Sequence, residues 1–388
     1  MTFDKEVIDI RRYIHKNPEV GGNEFNTAKF IESKLRSYDI PFKRINKTGV
    51  IGTIVGDPKG KTIALRADID ALPVYEKNNI EYKSLNRGVM HACGHDAHVA
   101  IVLGAAKLLK DKKNNLQGNV RLIFQPSEET SDGAKNMIFN GALKNPDVDF
   151  ILATHVSPWV KSGKIAFKYN EMMAGVDQLK IEIIGEIAHG AYPHEGKDAL
   201  VASSTFISMV QGIISRELDP LENSVITFGK IEGGDAYNVL CKQITLYGTV
   251  RTFNNKARKF IKNSILNKLK SIEKSYGVKC IAEYNSIGDP LINTPEITKY
   301  CIETAEEFYG KNNVEILQKP SMGGEDFSEY LHVVPGNFMY IGTSKDKATS
   351  NPWHHNKFNI DESAIAQASK YLFYTLDKFL KSSIKSLQ

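Results

Sequence analysis

Three apolar runs early in the chain each end in a knot of ionisable side chains, and this pattern narrows the available folds more than any other feature. Residues 62–66 lead into Asp68, Ile69 and Asp70. Residues 120–124 lead into Gln125, Pro126, Ser127, Glu128 and Glu129, and residues 150–154 into His155. Short apolar runs without polar alternation read as strands buried on both faces, the habit of parallel sheets covered by helices. In an open sheet of that kind, ligands gather beyond the carboxyl ends of the strands, where these polar knots fall.

Helical apolar spacing over residues 3–17 and 26–38, punctuated by Asn17-Pro18 and Gly21-Gly22, predicts two helices before the first strand. A strand over 50–55 joins the one at 62–66, and helices are predicted over 97–109 and 133–143. Strands alternating with helices predict an α/β sheet with helices on both faces. Residues 56–62 resemble a P-loop but are one residue short, and strands flank them on both sides; they read as a turn. From about Asp177 the pattern changes: residues 179–183 alternate strictly, as a half-exposed strand does. A helix over 199–214, strands at 225–231 and 244–251, a helix over 256–276 and a strand at 278–284 follow. That β-α-β-β-α-β order is ferredoxin-like. It predicts a domain of residues 176–289 inserted into one made of residues 1–175 and 290–388. The first pattern then resumes with a helix over 296–309, a strand at 338–342 and a helix over 362–379.

The 50 basic and 45 acidic residues leave a net charge of +5 spread along the chain, which supports no nucleic-acid role. Four cysteines, none in a C-x-x-C pair, are no disulfide framework. With no apolar leader and no run approaching the ~18 apolar residues of a membrane span, the expectation is a cytoplasmic protein with no membrane partner. H-E-x-x-H, G-x-S-x-G and Rossmann glycine patterns do not occur.

The segment His91-Ala92-Cys93-Gly94-His95-Asp96-Ala97-His98 sets thiol, imidazole and carboxylate in one tight loop. A polar helix start capped by Asp96 would explain it, but these are also the donors of Zn²⁺ and Mn²⁺ sites. Glu128-Glu129 alone would read as solvated surface. Placed after a buried strand and a proline, one carboxylate can bind metal while its neighbour works as a base. His155 and His354 alone would read as ordinary histidines and gain weight only by joining the others.

Four blocks, in order and spread over most of the chain, resemble peptidase family M20. They are Arg66-Ala67-Asp68-Ile69-Asp70-Ala71-Leu72-Pro73, Met90-His91-Ala92-Cys93-Gly94-His95-Asp96, Phe124-Gln125-Pro126-Ser127-Glu128-Glu129 and Gly323-Gly324-Glu325-Asp326-Phe327. The similarity is to the branch of aminoacylases, hippurate hydrolases, indoleacetyl-amino-acid hydrolases and N-acetyldiaminopimelate deacetylases. It implies a zinc-peptidase-like catalytic α/β domain with an inserted ferredoxin-like α+β lid, through which subunits form a homodimer. It implies two divalent ions per subunit (Zn²⁺, Mn²⁺, Co²⁺ or Ni²⁺) held by Cys93, His95, Glu129, His155 and His354. The motif also fits His355, although the alignment favours His354. Glu128 would be the general base, with Asp68 and Asp96 supporting the site from behind. In the lid, His189 matches a histidine delivered to the partner's active site, and Asn238 and Arg251 match substrate-side residues. The implied reaction is metal-dependent hydrolysis of N-acyl amino acids or small peptides. A carboxypeptidase on short peptides and an inactive metal- or ligand-binding protein on the same scaffold stand as alternatives.

Overall fold

The computed structural model describes residues 2–382. They divide into two compact units. The first comprises the described chain up to Met172, Ile292–Lys319, and the chain from Asp326 onward. The second comprises Met173–Leu291 with Pro320–Glu325. That short return was expected in the first unit; it is bound into the second by Ala174, whose N–H donates to the carbonyls of Ser321 and Gly323, both at 3.0 Å.

The first unit is built on an eight-stranded sheet. In spatial order its strands are Phe42–Ile45, Gly49–Val55, Gly118–Gln125, Lys61–Asp68, Phe150–Lys161, Gly336–Ser344, Ile165–Phe167 and Val314–Ile316. The four central strands, Gly118–Gln125 to Gly336–Ser344, run parallel. They are the apolar runs of the sequence, and Gly118–Gln125 is buried along its whole length. From Lys61–Asp68 the chain passes to Gly118–Gln125 on one side and then to Phe150–Lys161 on the other, which makes its carboxyl end a topological switch point. Register aligns the polar knots there. Asp68 pairs with Gln125, and two residues beyond the pair Arg66–Ala153 stand Asp68 and His155. Helices Phe3–Lys16, His95–Asp111 and Ser363–Lys381 pack into the core beside these strands. Their approach is close: a Cβ on Gly104 would sit 2.5 Å from Ser369 Oγ and 2.8 Å from Val7.

The second unit is a four-stranded antiparallel sheet in the order Lys279–Gly288, Gly175–Ile184, Gln243–Thr252, Ser224–Gly233. Taken in chain order this is 4-1-3-2, the ferredoxin-like arrangement anticipated from the order of elements. Helices Ala199–Gly212 and Asn255–Tyr276 bury their apolar residues on the sheet residues of one core. Both helices start at a side-chain cap: Asp198 accepts from Leu200 and Val201, and Asn254 from Ala257. Ala199–Glu217 is long and apolar enough to cross a membrane by composition, contrary to the reading of the sequence. Ala199, Ala202, Phe206, Val210 and Ile213 on it belong to the buried core.

One helix boundary and three short strands differ from expectation. The helix from Gly133 stops at Phe139 rather than at residue 143, because the chain turns at Asn140-Gly141 with Gly141 at φ +82°. Strands Phe42–Ile45, Ile165–Phe167 and Val314–Ile316 have three or four residues each, too few for a period to be read.

Candidate metal centre

Gly94 is the pivot of the site. Its φ of +92° turns the chain from Cys93 into the helix that begins at His95. A Cβ at this position would lie 2.3 Å from Val156 Cγ2, so the turn tolerates only glycine. The thiol and the imidazole on either side are thereby brought against the carboxyl ends of the parallel strands.

Six side chains from four separate segments converge there. Ligand atoms of Cys93, His95 and His155 lie within 4.8 Å of one another, as do those of Cys93, Glu129 and His354, and those of His95, Glu128 and Glu129. Cys93 is common to the first two groups. The backbone prepares each histidine: His95 Nδ1 donates to the carbonyl of Asp70 at 2.9 Å, and His155 Nδ1 donates to the carbonyl of Val156 at 2.8 Å. Each Nε2 then faces the cluster, where the neutral imidazole offers its lone pair. His155 Nε2 is 3.4 Å from Cys93 Sγ, and His354 Nε2 is 3.5 Å from Glu129 Oε1. Among the described residues, His95 Nε2 and Glu129 Oε1 are buried without a hydrogen-bond partner. Two orphaned acceptors beside a thiol and further imidazoles are costly unless a cation completes them, and this donor set suits Zn²⁺, Mn²⁺, Co²⁺ or Ni²⁺. The residues fit divalent metal.

The electrostatics agree. Burial pushes the Glu129 carboxyl up, and Asp70 and Asp68 add to the shift. Burial would lower the pKa of His95, but Asp68 and Asp70 raise it instead. Burial, with His98 alongside, holds His155 well below the usual imidazole range, and burial also lowers His354. Cation binding must therefore displace protons from His95 and Glu129, while His155 is already a neutral donor.

Asp68 lies beneath this cluster. It accepts from His98 Nδ1 at 2.5 Å and from Arg66 at 2.6 Å. His98 is itself excluded as a ligand although it adjoins Asp68 and His95, because Val156 N–H donates to its Nε2 at 2.9 Å. Arg66 also donates to Asp326 of the Gly323–Phe327 block at 3.0 Å, and Gln125 Nε2 donates to both oxygens of Asp326. That motif residue is thus a buried tie between strand ends.

Asp96 was expected to orient a ligating imidazole and does not. Its Oδ2 accepts from Arg11 and His15, both at 2.8 Å, and these cations hold its carboxyl well below the usual range although burial pushes it up. The helical turn from His95 to Asp96 swings the second side chain away toward Phe3–Lys16. The supporting carboxylate that sequence reasoning missed is Asp70. Its Oδ1 lies 3.2 Å from His95 Nδ1, and its Oδ2 accepts the Glu129 backbone N–H at 3.0 Å. Its signal was its place two residues after Asp68 in the same block.

The remaining candidates lie in the second unit. His189 is exposed, its Nδ1 accepts from Ala191 N–H at 3.1 Å, and its backbone bridges Val239. Gly190 N–H donates to the Asn238 carbonyl at 2.7 Å, so His189 and Asn238 share one loop pairing. Arg251, near the end of Gln243–Thr252, is half-buried, and Gly324 approaches its guanidinium.

The description "Peptidase family M20/M25/M40" fits residues 64–378 of the chain. The chain is 39% identical over 387 residues to N-acetyl-L-cysteine deacetylase of Bacillus subtilis strain 168, covering 99% of this chain and 91% of that one. It is 36% identical over 365 residues to thermostable carboxypeptidase 2 of Saccharolobus solfataricus, covering 92% and 91%. Among solved structures, a dinuclear metal binding peptidase from the M20 family of Bacillus subtilis superposes with a TM-score of 0.84 at 32% identity, covering 98% and 99%. With the donor cluster intact and the likeness running along the whole chain, the protein belongs to peptidase family M20/M25/M40 and is a metal-dependent amidohydrolase.

Proposed function

We propose that the protein hydrolyses the amide bond of N-acyl amino acids, with two divalent ions held by Cys93, His95, Glu129, His155 and His354. The observation that carries this reading is the convergence of those five donors beside Glu128, with His95 Nε2 and Glu129 Oε1 buried and unpartnered. When bound, the ions supply positive charge that polarises the scissile carbonyl and lowers the pKa of water. Glu128 takes the proton of the attacking water and passes it to the leaving amine. His189 donates a hydrogen bond to the developing oxyanion. Arg251, which makes no ion pair among the described residues, grips the substrate carboxylate in a two-point contact, with Asn238 on the same side. The first unit is then the catalytic domain and the second the lid. A homodimer formed through the lid, bringing His189 to the partner's site, is supported by its largely exposed edge strand Ser224–Gly233.

The likeness to a carboxypeptidase favours a second reading, cleavage of short peptides at the same site. Protein reconstituted with Zn²⁺, Mn²⁺, Co²⁺ or Ni²⁺ and offered a panel of N-acyl amino acids and dipeptides tests both. Turnover of the acyl amino acids is the expected result, and preference for dipeptides would favour the carboxypeptidase. No turnover of either class at full metal occupancy would leave a binding protein and overturn the proposal.

A further inference from the structure

Val156 is the crossing point of three side chains. Its N–H donates to His98 Nε2 at 2.9 Å. Its carbonyl accepts from His155 Nδ1 at 2.8 Å and from the indole Nε1 of Trp353 at 2.9 Å. The Trp353 ring meets the His155 imidazole nearly edge-on, with centroids 4.6 Å apart and planes at 65°. Trp159 also meets Trp353, at 4.4 Å and 83°, and Tyr340 packs against it at 5.7 Å. Trp353 is followed directly by His354, whose backbone is left-handed at φ +63°. A histidine in that region is held there by its surroundings. Here the holding contacts are the Trp353 side chain on Val156 and the His354 N–H, which donates to the carbonyl of Ala92 at 2.8 Å.

Trp353 therefore touches both donor groups that share Cys93. Its ring and its shared acceptor restrain His155, which belongs to the Cys93–His95–His155 group. Its anchoring sets the backbone that presents His354, which belongs to the Cys93–Glu129–His354 group.

We propose that Trp353 is a positioning residue that couples the two halves of the metal centre, so that an ion bound on the His155 side pre-arranges His354 for the second. This rests on the metal reading above. Two neighbouring cations repel, and a ligand on a loop must also be ordered when the second ion binds. If Trp353 orders that loop once His155 is engaged, the second ion meets a smaller entropic cost. The linkage is reciprocal, so removing it weakens whichever ion binds second.

The sequence contains two tryptophans, and both lie in this stack, so tryptophan emission, excited beyond the tyrosine band, reports on it alone. The experiment titrates Zn²⁺ into the chelator-stripped full chain. Stoichiometry and affinities are read by competition with a chromophoric chelator, and tryptophan emission is followed in parallel. Trp353→Phe keeps a ring against His155 but loses the N–H, and Trp159→Phe leaves Trp353 as the single reporter. The Trp159→Phe protein is expected to bind both ions as the parent does and to change its emission on binding. Trp353→Phe is expected to weaken the second ion by about tenfold or more, the scale seen when partners behind metal ligands are removed. With excess metal it should recover kcat at unchanged KM, which a misfolded variant would not do. Parent-like affinities for both ions in Trp353→Phe would overturn the coupling. So would emission of Trp159→Phe that stays flat while metal binds, a result independent of how the Trp353 variant folds. Failure of the parent protein to bind Zn²⁺ would instead sink the metal reading and this inference with it.

Discussion

Replacing Asp70 by Asn tests how the metal centre is pre-arranged. Asp70 Oδ2 accepts the backbone N–H of Glu129 at 3.0 Å, while Oδ1 lies 3.2 Å from His95 Nδ1. An amide retains one acceptor, so in either orientation its NH₂ group faces one of the two donors. His95 keeps its tautomer because the Asp70 backbone carbonyl still accepts from Nδ1 at 2.9 Å. The lost hydrogen bond to a charged group is worth about 1.5–3 kcal/mol. In the metal-free protein Asp70 repels the buried Glu129 carboxyl that it helps push up but attracts the His95 imidazole that it helps raise, so removing its charge relieves one interaction and loses the other. In the loaded protein no such relief exists, because a bound cation already stabilises Glu129 as an anion. Metal affinity should therefore fall by about 10–100-fold, equivalent to about 1.4–2.7 kcal/mol. Metal-free stability should fall as well, because the attraction of Asp70 to His95 is lost. Chelator competition gives the first quantity, and thermal melts with and without saturating Zn²⁺ give the second. The reasoning fails if Asp70→Asn binds metal as the parent does, or if the stripped variant is as stable as the stripped parent.

Other outcomes follow from the same geometry. Glu128→Gln should retain metal and fold yet lose about 10²–10⁴-fold in kcat, since an amide cannot shuttle the proton; near-parent turnover at full occupancy would remove Glu128 as the base. Cys93→Ser should lower metal retained after dialysis, because a hydroxyl is a poor anionic donor, whereas substitutions at Cys241, Cys280 and Cys301 should leave it unchanged. The stripped protein should lose stability as pH rises from about 7 to 9. The raised His95 contributes stability that is complete below its unfolded pKa and disappears as pH climbs through the folded one; the raised Glu129 has the same sign but acts below this window, its contribution being lost as pH climbs from its unfolded value to about 7. Denaturant melts should find this slope abolished in His95→Gln and in the metal-loaded protein, and a slope of opposite sign would contradict the assignment.

Much of this protein is legible in one dimension, for definite reasons. Apolar runs such as residues 120–124 are local signals of burial on both faces, and strict alternation over 179–183 is a local signal of a sheet covered on one side. The donors Cys93, His95, Glu128 and Glu129 sit in short dense motifs at strand and helix ends, where chemistry-bearing residue types are recognisable together. Orientation is decided elsewhere. Asp68, Asp70 and Asp96 look alike as residues near the motifs, yet Asp70 turns to His95 and Glu129 while Asp96 turns to Arg11 and His15. His98 lies three residues from His95, and only the approach of Val156 from another strand removes it from the ligand set. Trp353 carries no sequence signal of a role in the site, because its partner is a carbonyl 197 positions away in the chain. Periodicity and residue type report what a segment buries and which donors it offers. Where a side chain points, and which lone pair stays open, depends on contacts between segments distant in the chain, and those exist only once the sheet has closed its register.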